Sequence, residues 1–233
     1  MIVAIHQPQY LPWVPFFDKM DACELFVFLD TVQFQRRGVQ NRNQILGPDG
    51  PLWLTVPVNA SRETLIQDVT IAANPWQHAH RRSIETSYQK APYYKEYAPG
   101  LLDLLGHPWE RLVDLNIATT AFLAGALGIT TRCVRASELS VTGAKQDLIL
   151  DICAACGATE YLSGPGARAY QTPAEFAARN IRLSYQNYEN RPYPQRFGGG
   201  NFTPGLSALD LLFNLGPGAR DLLLSGRGPA LTE

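Results

Sequence analysis

Two short apolar runs near the start of the chain, Met-Ile-Val-Ala-Ile at 1–5 and Leu-Phe-Val-Phe-Leu at 25–29, each stop abruptly at polar residues. The first ends at His6-Gln7 and the second at Asp30. Unbroken apolar runs of this length read as strands buried on both faces, the pattern of a parallel sheet. Parallel strands need a crossover, and a helix-like stretch around 16–20 supplies one. A β-α-β opening commits the chain to an open α/β sheet. Such sheets bind ligands outside the carboxyl ends of their strands. The two strand ends and the polar, basic loop that follows them are therefore where a small-molecule site is expected.

The remaining chain fits that frame. Gly47-Pro48-Asp49-Gly50-Pro51 marks a turn. It leads into a strand over 52–58, placed near an edge because Pro57 has no N–H to give a ladder, with 68–71 available to pair nearby. From Asn74 the pattern turns helical, with Asn74 as N-cap and Pro75 at the first helical position. That helix is predicted to run to about residue 90, a second over 93–105, and a third from about 108 to 127 with a wide apolar face. Residues 75–127 thus form a helical insertion. The α/β rhythm then resumes: strand 131–134, helix 145–156, strand 160–162, helix 172–179, strand 181–185, helix 207–215. The Pro/Gly-rich stretch 190–205, with a triple glycine at 198–200 beside Gln195, Asn201 and Phe202, is expected as a mobile cover. Residues after Gly216 are expected as a frayed tail. The expected fold is one α/β domain over 1–233, with a mostly parallel, Rossmann-like central sheet.

Composition narrows the function classes. A chain of 233 residues with 45% hydrophobic and 18% charged residues builds one ordered core. A net charge of −1 argues against DNA or an anionic membrane as partner. Without an apolar run of about 18 residues or a basic leader, neither membrane insertion nor export is expected, and the location read is cytoplasmic. Cys153-Ala-Ala-Cys156 has redox spacing but lies late on a helix in phase with Leu148, Ile149 and Ile152, so its thiols are expected in the core. His78 and His80, two apart on a helix, point to different faces, and no metal site is expected.

The candidate site starts from His6, whose imidazole titrates near neutrality and suits a general base. Asp30 is the expected partner that orients it, and these two are the predicted catalytic residues. Gln7, Gln9, Tyr10, Gln33 and Asn41 offer neutral hydrogen bonds to hydroxyls or amides. Arg36 and Arg42 offer bidentate recognition of carboxylate or phosphate, whereas Arg37 is read as solvated. His78 and Tyr161 are placed at the rim. Ser163-Gly164-Pro165-Gly166, after a strand, is expected to turn backbone N–H groups toward developing negative charge. Asp210 and Asn214, four apart on the last helix, share a face and read equally well as buried polar structure.

Several strings carry a family resemblance: His6-Gln7-Pro8-Gln9-Tyr10-Leu11-Pro12-Trp13, Asp30-Thr31-Val32-Gln33-Phe34, Gln40-Asn41-Arg42-Asn43 and Trp53-Leu54-Thr55-Val56-Pro57-Val58. With Tyr161-Leu162-Ser163-Gly164 and the run 207–214, they resemble the WbqC-like family over almost the whole chain. Pro15 and Arg36 depart from the glycine and lysine common there, and Arg36 is no proton-exchanging amine. The family occurs in bacterial gene clusters for O-antigen, other surface polysaccharides and some natural products. The resemblance implies an enzyme that transfers an acyl or aminoacyl group, glycyl among them, to an amino sugar or other small amine as an amide or ester. The implied partners are that small-molecule acceptor and an activated donor: acyl-CoA, a carrier-protein thioester or aminoacyl-tRNA. No cofactor is assigned. A non-catalytic protein binding a nucleotide sugar or carrier-bound intermediate, and a hydrolase or lyase using the same residues, are the alternatives.

Overall fold

The two apolar runs that open the chain lie side by side in the middle of the sheet. The computed structural model describes residues 1–197 and 199–232. In chain order it contains β1 (Ile2–His6), α1 (Val14–Asp21), β2 (Leu25–Phe28), β3 (Arg42–Gly47), β4 (Gly50–Thr55), β5 (Val58–Asn59) and β6 (Thr70–Ile71). Three helices follow, α2 (Trp76–Tyr88), α3 (Tyr94–Gly106) and α4 (Leu112–Ala126). The chain then runs through β7 (Arg132–Arg135), α5 (Lys145–Ala155), β8 (Glu160–Ser163), α6 (Pro173–Ala178) and β9 (Arg182–Tyr185). It closes with α7 (Ala208–Leu215), α8 (Ala219–Ser225) and β10 (Leu231–Thr232).

The central sheet has the order β10-β9-β8-β1-β2-β7, parallel throughout except for β10 at one edge. Numbered along the chain, the five parallel strands lie in the order 3-2-1-4-5, the Rossmann arrangement. The direction of winding reverses between β1 and β8. That reversal leaves a crevice at the carboxyl ends of these two strands, the topological switch point.

Strand alternation sorts the side chains onto two faces. Val3, Ile5, Val27, Tyr161 and Leu183 face Leu148, Ile152 and Cys153 of α5 and Phe176 of α6. Ala4, Phe26, Phe28 and Leu162 face the larger core, built with Phe16, Phe17 and Met20 of α1 and with α4, α7 and α8. The result is a three-layer α/β/α domain. Cys153 is fully buried in the smaller core, and burial pushes its thiol up to about 12.

Several expectations are corrected here. The strand predicted over 52–58 is two elements. β4 pairs antiparallel with β3, which the sequence pattern missed, and β5 pairs with β6 beyond the break at Pro57. The helix predicted to begin at Pro75 begins one residue later, at Trp76, with Pro75 itself at the N-cap and no side-chain cap from Asn74. The third helix starts at Leu112, because Arg111 is taken up in a bridge with Thr70.

The expected frayed tail instead packs through Ala219, Leu223 and Gly226 and pairs through β10 with β9, with residues 229–232 exposed; Glu233 lies outside the described residues. Arg227 Nε and Nη2 reach Asp18 Oδ1 at 2.6 Å and Asp21 Oδ2 at 2.8 Å, while Arg220 Nη2 holds Asp21 Oδ1 at 2.9 Å. The glycines that look like punctuation are there for close approach. A Cβ on Gly226 would stand 2.5 Å from the Glu189 carbonyl oxygen, and one on Gly228 2.5 Å from Asn187 Nδ2. The 190–205 loop is likewise fastened. Tyr193 and Gln195 both donate to Asp210 Oδ2, and Gln195 also grips Thr203 through its N–H and carbonyl. Gly198, within the triple glycine, lies outside the described residues.

Candidate functional site at the switch point

β1 ends at His6 because the next residues, Gln7 and Pro8, leave the sheet. The His6 side chain continues the alternation of Ala4 and so lies on the α1 face, edge-on to Phe16 with ring centroids 4.9 Å apart. Its Nδ1 and the Gln7 carbonyl oxygen are 3.0 Å apart, so Nδ1–H donates and Nε2 keeps the lone pair. Burial, and next the charge of Lys19, push the imidazole down to about 3, against the opposing pull of the Gln7 bond. At neutral pH the ring is an uncharged acceptor.

Lys19 was not anticipated from the sequence. Helical phase places it on the inward stripe of α1 with Phe16 and Met20, and its side chain is buried. Nζ donates to the Ile5 carbonyl oxygen at 3.1 Å, directly beneath the end of β1. Burial lowers the amine to about 7. Across the crevice stands Gly164, the residue after β8, where an added Cβ would lie 4.0 Å from Nζ. The crevice therefore brings together His6, Lys19 and Gly164.

A chain of hydrogen-bonded amides follows the end of β1. Gln40 Nε2 donates to Gln7 Oε1 at 2.8 Å, and Gln40 Oε1 accepts from the Gln35 N–H at 2.8 Å. The Gln40 carbonyl in turn accepts from Asn116 Nδ2 of α4 at 2.8 Å. Asn41 Nδ2 donates to the Val56 carbonyl, while Asn41 Oδ1 and Gln9 Oε1 are buried without a hydrogen-bond partner among the described residues. Buried acceptors of this kind are satisfied by an ordered water or by a donor from a ligand.

Other sequence candidates fall elsewhere. Asp30 does not orient His6. It is fully buried, and its two carboxylate oxygens accept from Ser137 N–H at 2.9 Å and Ser137 Oγ at 2.6 Å, fixing the turn after β7. Tyr10 is fully buried and its hydroxyl pairs with His80 Nδ1 at 2.9 Å; His80 Nε2–H donates to the Thr55 carbonyl, so Tyr10 donates. Ser163 and Tyr161 sit on the opposite face of the sheet from His6, since Ser163 falls in line with Ile5. Tyr161 is stacked on Phe176 at 5.6 Å. The expectation that His6 and Ser163 share a cleft fails, because parallel neighbours in register share a face and these two are one residue out of phase.

Gln33 is exposed, in a bridge with Leu65. Arg36 donates to the Ala60 carbonyl at 2.8 Å, and Arg42 lies over the exposed Trp53 ring at 4.3 Å with one N–H on the Arg37 carbonyl. His78 is exposed and lines a cleft of about 250 Å³ with Pro75, Gln77, Arg81 and Leu102, formed by α2 and α3 alone. Among the described residues no group of three or more His, Cys, Asp or Glu is placed to hold a metal ion. No helix among them is long and apolar enough to cross a membrane.

The Rossmann-like sheet with helices on both faces defines the class: a single α/β domain with a mostly parallel central sheet. Within that class the chain belongs to the WbqC-like protein family, whose model matches residues 7–222. It is similar to the uncharacterized protein Rv1507c of Mycobacterium tuberculosis, with 35% identity over 225 residues that cover 95% of this chain and 96% of the relative. No solved structure matches it.

The two depressed imidazoles, half-buried His6 and buried His80, make a pH prediction. His80 is also lowered, to about 4, by burial against the opposing Thr55 bond. A histidine depressed in the folded state is protonated first in the unfolded chain. Stability is therefore intact above the ordinary value of 6.5 and is lost as pH falls through the window toward 4 and then 3. Each ring contributes a slope of about 1.4 kcal/mol per pH unit. Urea unfolding at several pH values is expected to show uptake of about two protons near pH 5. An unfolding midpoint that stays flat from about pH 6.5 to 5 would mean both rings charge freely in the folded protein.

Proposed function

We propose that the chain is a transferase that passes an acyl or aminoacyl group to the amine or hydroxyl of a small acceptor, an amino sugar foremost, forming an amide or ester. The observation that carries this reading is the pairing at the switch point of two nitrogen bases, His6 and Lys19, beside a loop of amides. Acyl transfer needs a base to take the proton of the attacking nucleophile and neutral groups to hold an acceptor rich in hydroxyls. The orphan oxygens of Gln9 and Asn41 suit the N–H and O–H groups of such an acceptor. The turn that begins at Gly164 is the expected place for backbone N–H groups to meet negative charge on the donor carbonyl. The occurrence of the family in surface-polysaccharide clusters supports the amino sugar as acceptor.

One observation favours a non-catalytic binding protein: the His78 cleft lies between α2 and α3, not over His6. The two readings separate in one experiment. The protein is incubated with acyl-CoA, carrier-protein thioester or aminoacyl-tRNA donors against a panel of amino sugars and nucleotide sugars, and products are weighed by mass spectrometry. Acceptors gaining the acyl mass support transfer. Donor cleavage without acylated acceptor marks a hydrolase. Saturable thermal stabilisation by a nucleotide sugar, with every donor left intact, marks a binding protein.

A further inference from the structure

We infer that Lys19 is the general base of this site and that substrate reaches it across Gly164. The inference rests on the transferase reading above. The attacking amine or hydroxyl forms its bond to the donor carbonyl carbon and gives its proton to Lys19 Nζ. The bond from that carbon to the leaving thiol or tRNA oxygen then breaks, and the resulting ammonium returns the proton to the leaving group. The reaction is balanced with no other reactant.

Four observations place the amine in this role. Among the described residues Nζ has one hydrogen-bond partner, the Ile5 carbonyl, so the neutral amine keeps a second N–H and its lone pair unengaged. No carboxylate among the described residues pairs with it: its helix neighbours Asp18 and Asp21 are held by Arg227 and Arg220. Of the 20 Lys and Arg residues in the chain only four are lysines, and Lys90, Lys95 and Lys145 are exposed. Among the described residues the one buried side chain of the Lys and Arg set is thus of the kind that can give up its proton, which arginine cannot. Finally, Gly164 has an ordinary φ of −79°, so its backbone does not demand glycine. The only described atom within 4 Å of a Cβ there would be Lys19 Nζ. The missing side chain keeps open the space in front of the amine.

The groups that face Lys19 agree with this division of labour. From β1 comes His6, whose Nδ1–H is spent on Gln7 and which stays uncharged, leaving Nε2 to receive a hydrogen bond from the acceptor. Further along the chain from α1 comes Cys23, whose thiol burial pushes up to about 12, with Cys133 of β7 behind it. From the end of β8 comes Gly164, which carries no charge. The base form of Lys19 grows as pH rises, so kcat/KM is expected to rise through about pH 7. A His6 base would leave it level above about pH 5.

The test pairs chemical labelling with kinetics. Trace acetic anhydride is reacted with the folded protein from about pH 6 to 10, and the four lysine-bearing peptides are quantified. Lys19 is expected to reach half reactivity near pH 7 and the other three near their usual value of about 10. Gly164→Val is expected to slow labelling of Lys19 at least tenfold and leave the others unchanged. Lys19→Met is expected to lower kcat by about a hundredfold or more without lowering the thermal midpoint, and Lys19→Arg not to restore it. Lys19 titrating with the surface lysines, or indifferent to Gly164→Val, overturns the inference. Transfer retained within a few-fold in Lys19→Met overturns the base assignment while the transferase reading stands. Failure of the wild-type chain to transfer from any donor overturns that reading and the base assignment with it.

Discussion

Asp210→Ala is expected to lower the thermal midpoint by about 10 °C, the equivalent of about 3–5 kcal/mol for a domain of this size. Asp210 is fully buried at the third position of α7. Its Oδ1 accepts from Tyr88 OH at 2.8 Å, and its Oδ2 from Tyr193 OH at 2.7 Å and Gln195 Nε2 at 2.9 Å. Tyr88 OH also accepts from the Leu46 N–H at 3.1 Å, so one carboxylate ties α2, β3, α7 and the 190–205 segment together. Removing it takes the acceptor from the buried Tyr88 hydroxyl and the half-buried Tyr193 hydroxyl and leaves Gln195 the Thr203 carbonyl, and each unpaired buried donor costs about 1–3 kcal/mol. Asp210→Asn keeps an acceptor on one side and is expected to lose about half as much. Burial raises the carboxyl above its usual range despite these bonds. Its charge term therefore favours folding below the ordinary carboxylate value and is lost as pH rises through the folded value. Differential scanning calorimetry of the two variants checks the ranking. Equal losses would mean that charge, not hydrogen bonding, sets the effect.

Arg227→Ala is expected to cost about as much, about 3–5 kcal/mol, because it leaves Asp18 buried and uncompensated. The Asp18 side chain is 1% exposed, and among the described residues its carboxylate meets, besides Arg227, only the Gln186 amide at 2.6 Å. The double variant Asp18→Asn, Arg227→Gln is expected to recover part of the loss, since an unpaired buried charge is costlier than a pair of amides. Chemical denaturation of the three proteins measures this. A loss under about 1 kcal/mol in Arg227→Ala would return the segment after Gly216 to the frayed tail that its glycines suggest.

The contrast between these two residues and the strands shows what the sequence makes legible. Residues 1–5 and 25–29 announce themselves because strands buried on both faces must be apolar along their length, while 160–162 and 181–185 are mixed and are legible from the α/β rhythm around them. β3 hides because its first residues, Arg42, Asn43 and Gln44, are polar for reasons of partnership: Asn43 Nδ2 holds the Leu11 carbonyl at 2.7 Å. The C-terminal segment hides because Gly226 and Gly228 serve close packing, which composition cannot distinguish from slack. At the site, His6 is legible from its strand end. Asp30 is misread because a carboxylate at a strand end looks the same whether it meets a substrate or Ser137. Ser163 is misread through a phase of one residue, set by the register between β1 and β8. Lys19 had a signal that went unused: a lysine in phase with Phe16 and Met20 on a short apolar helix has no route to solvent.

The site claim is tested most directly by mapping where a stabilising donor or acceptor binds, using backbone and lysine side-chain chemical shifts of the labelled protein. Shifts concentrated at residues 5–9 and 163–168 and at the Lys19 amine are expected, with β7 and the α2–α3 cleft unmoved. Saturable shifts confined to Pro75, His78, Arg81 and Leu102, with His6, Lys19 and Gly164 unchanged, would contradict a site at the switch point.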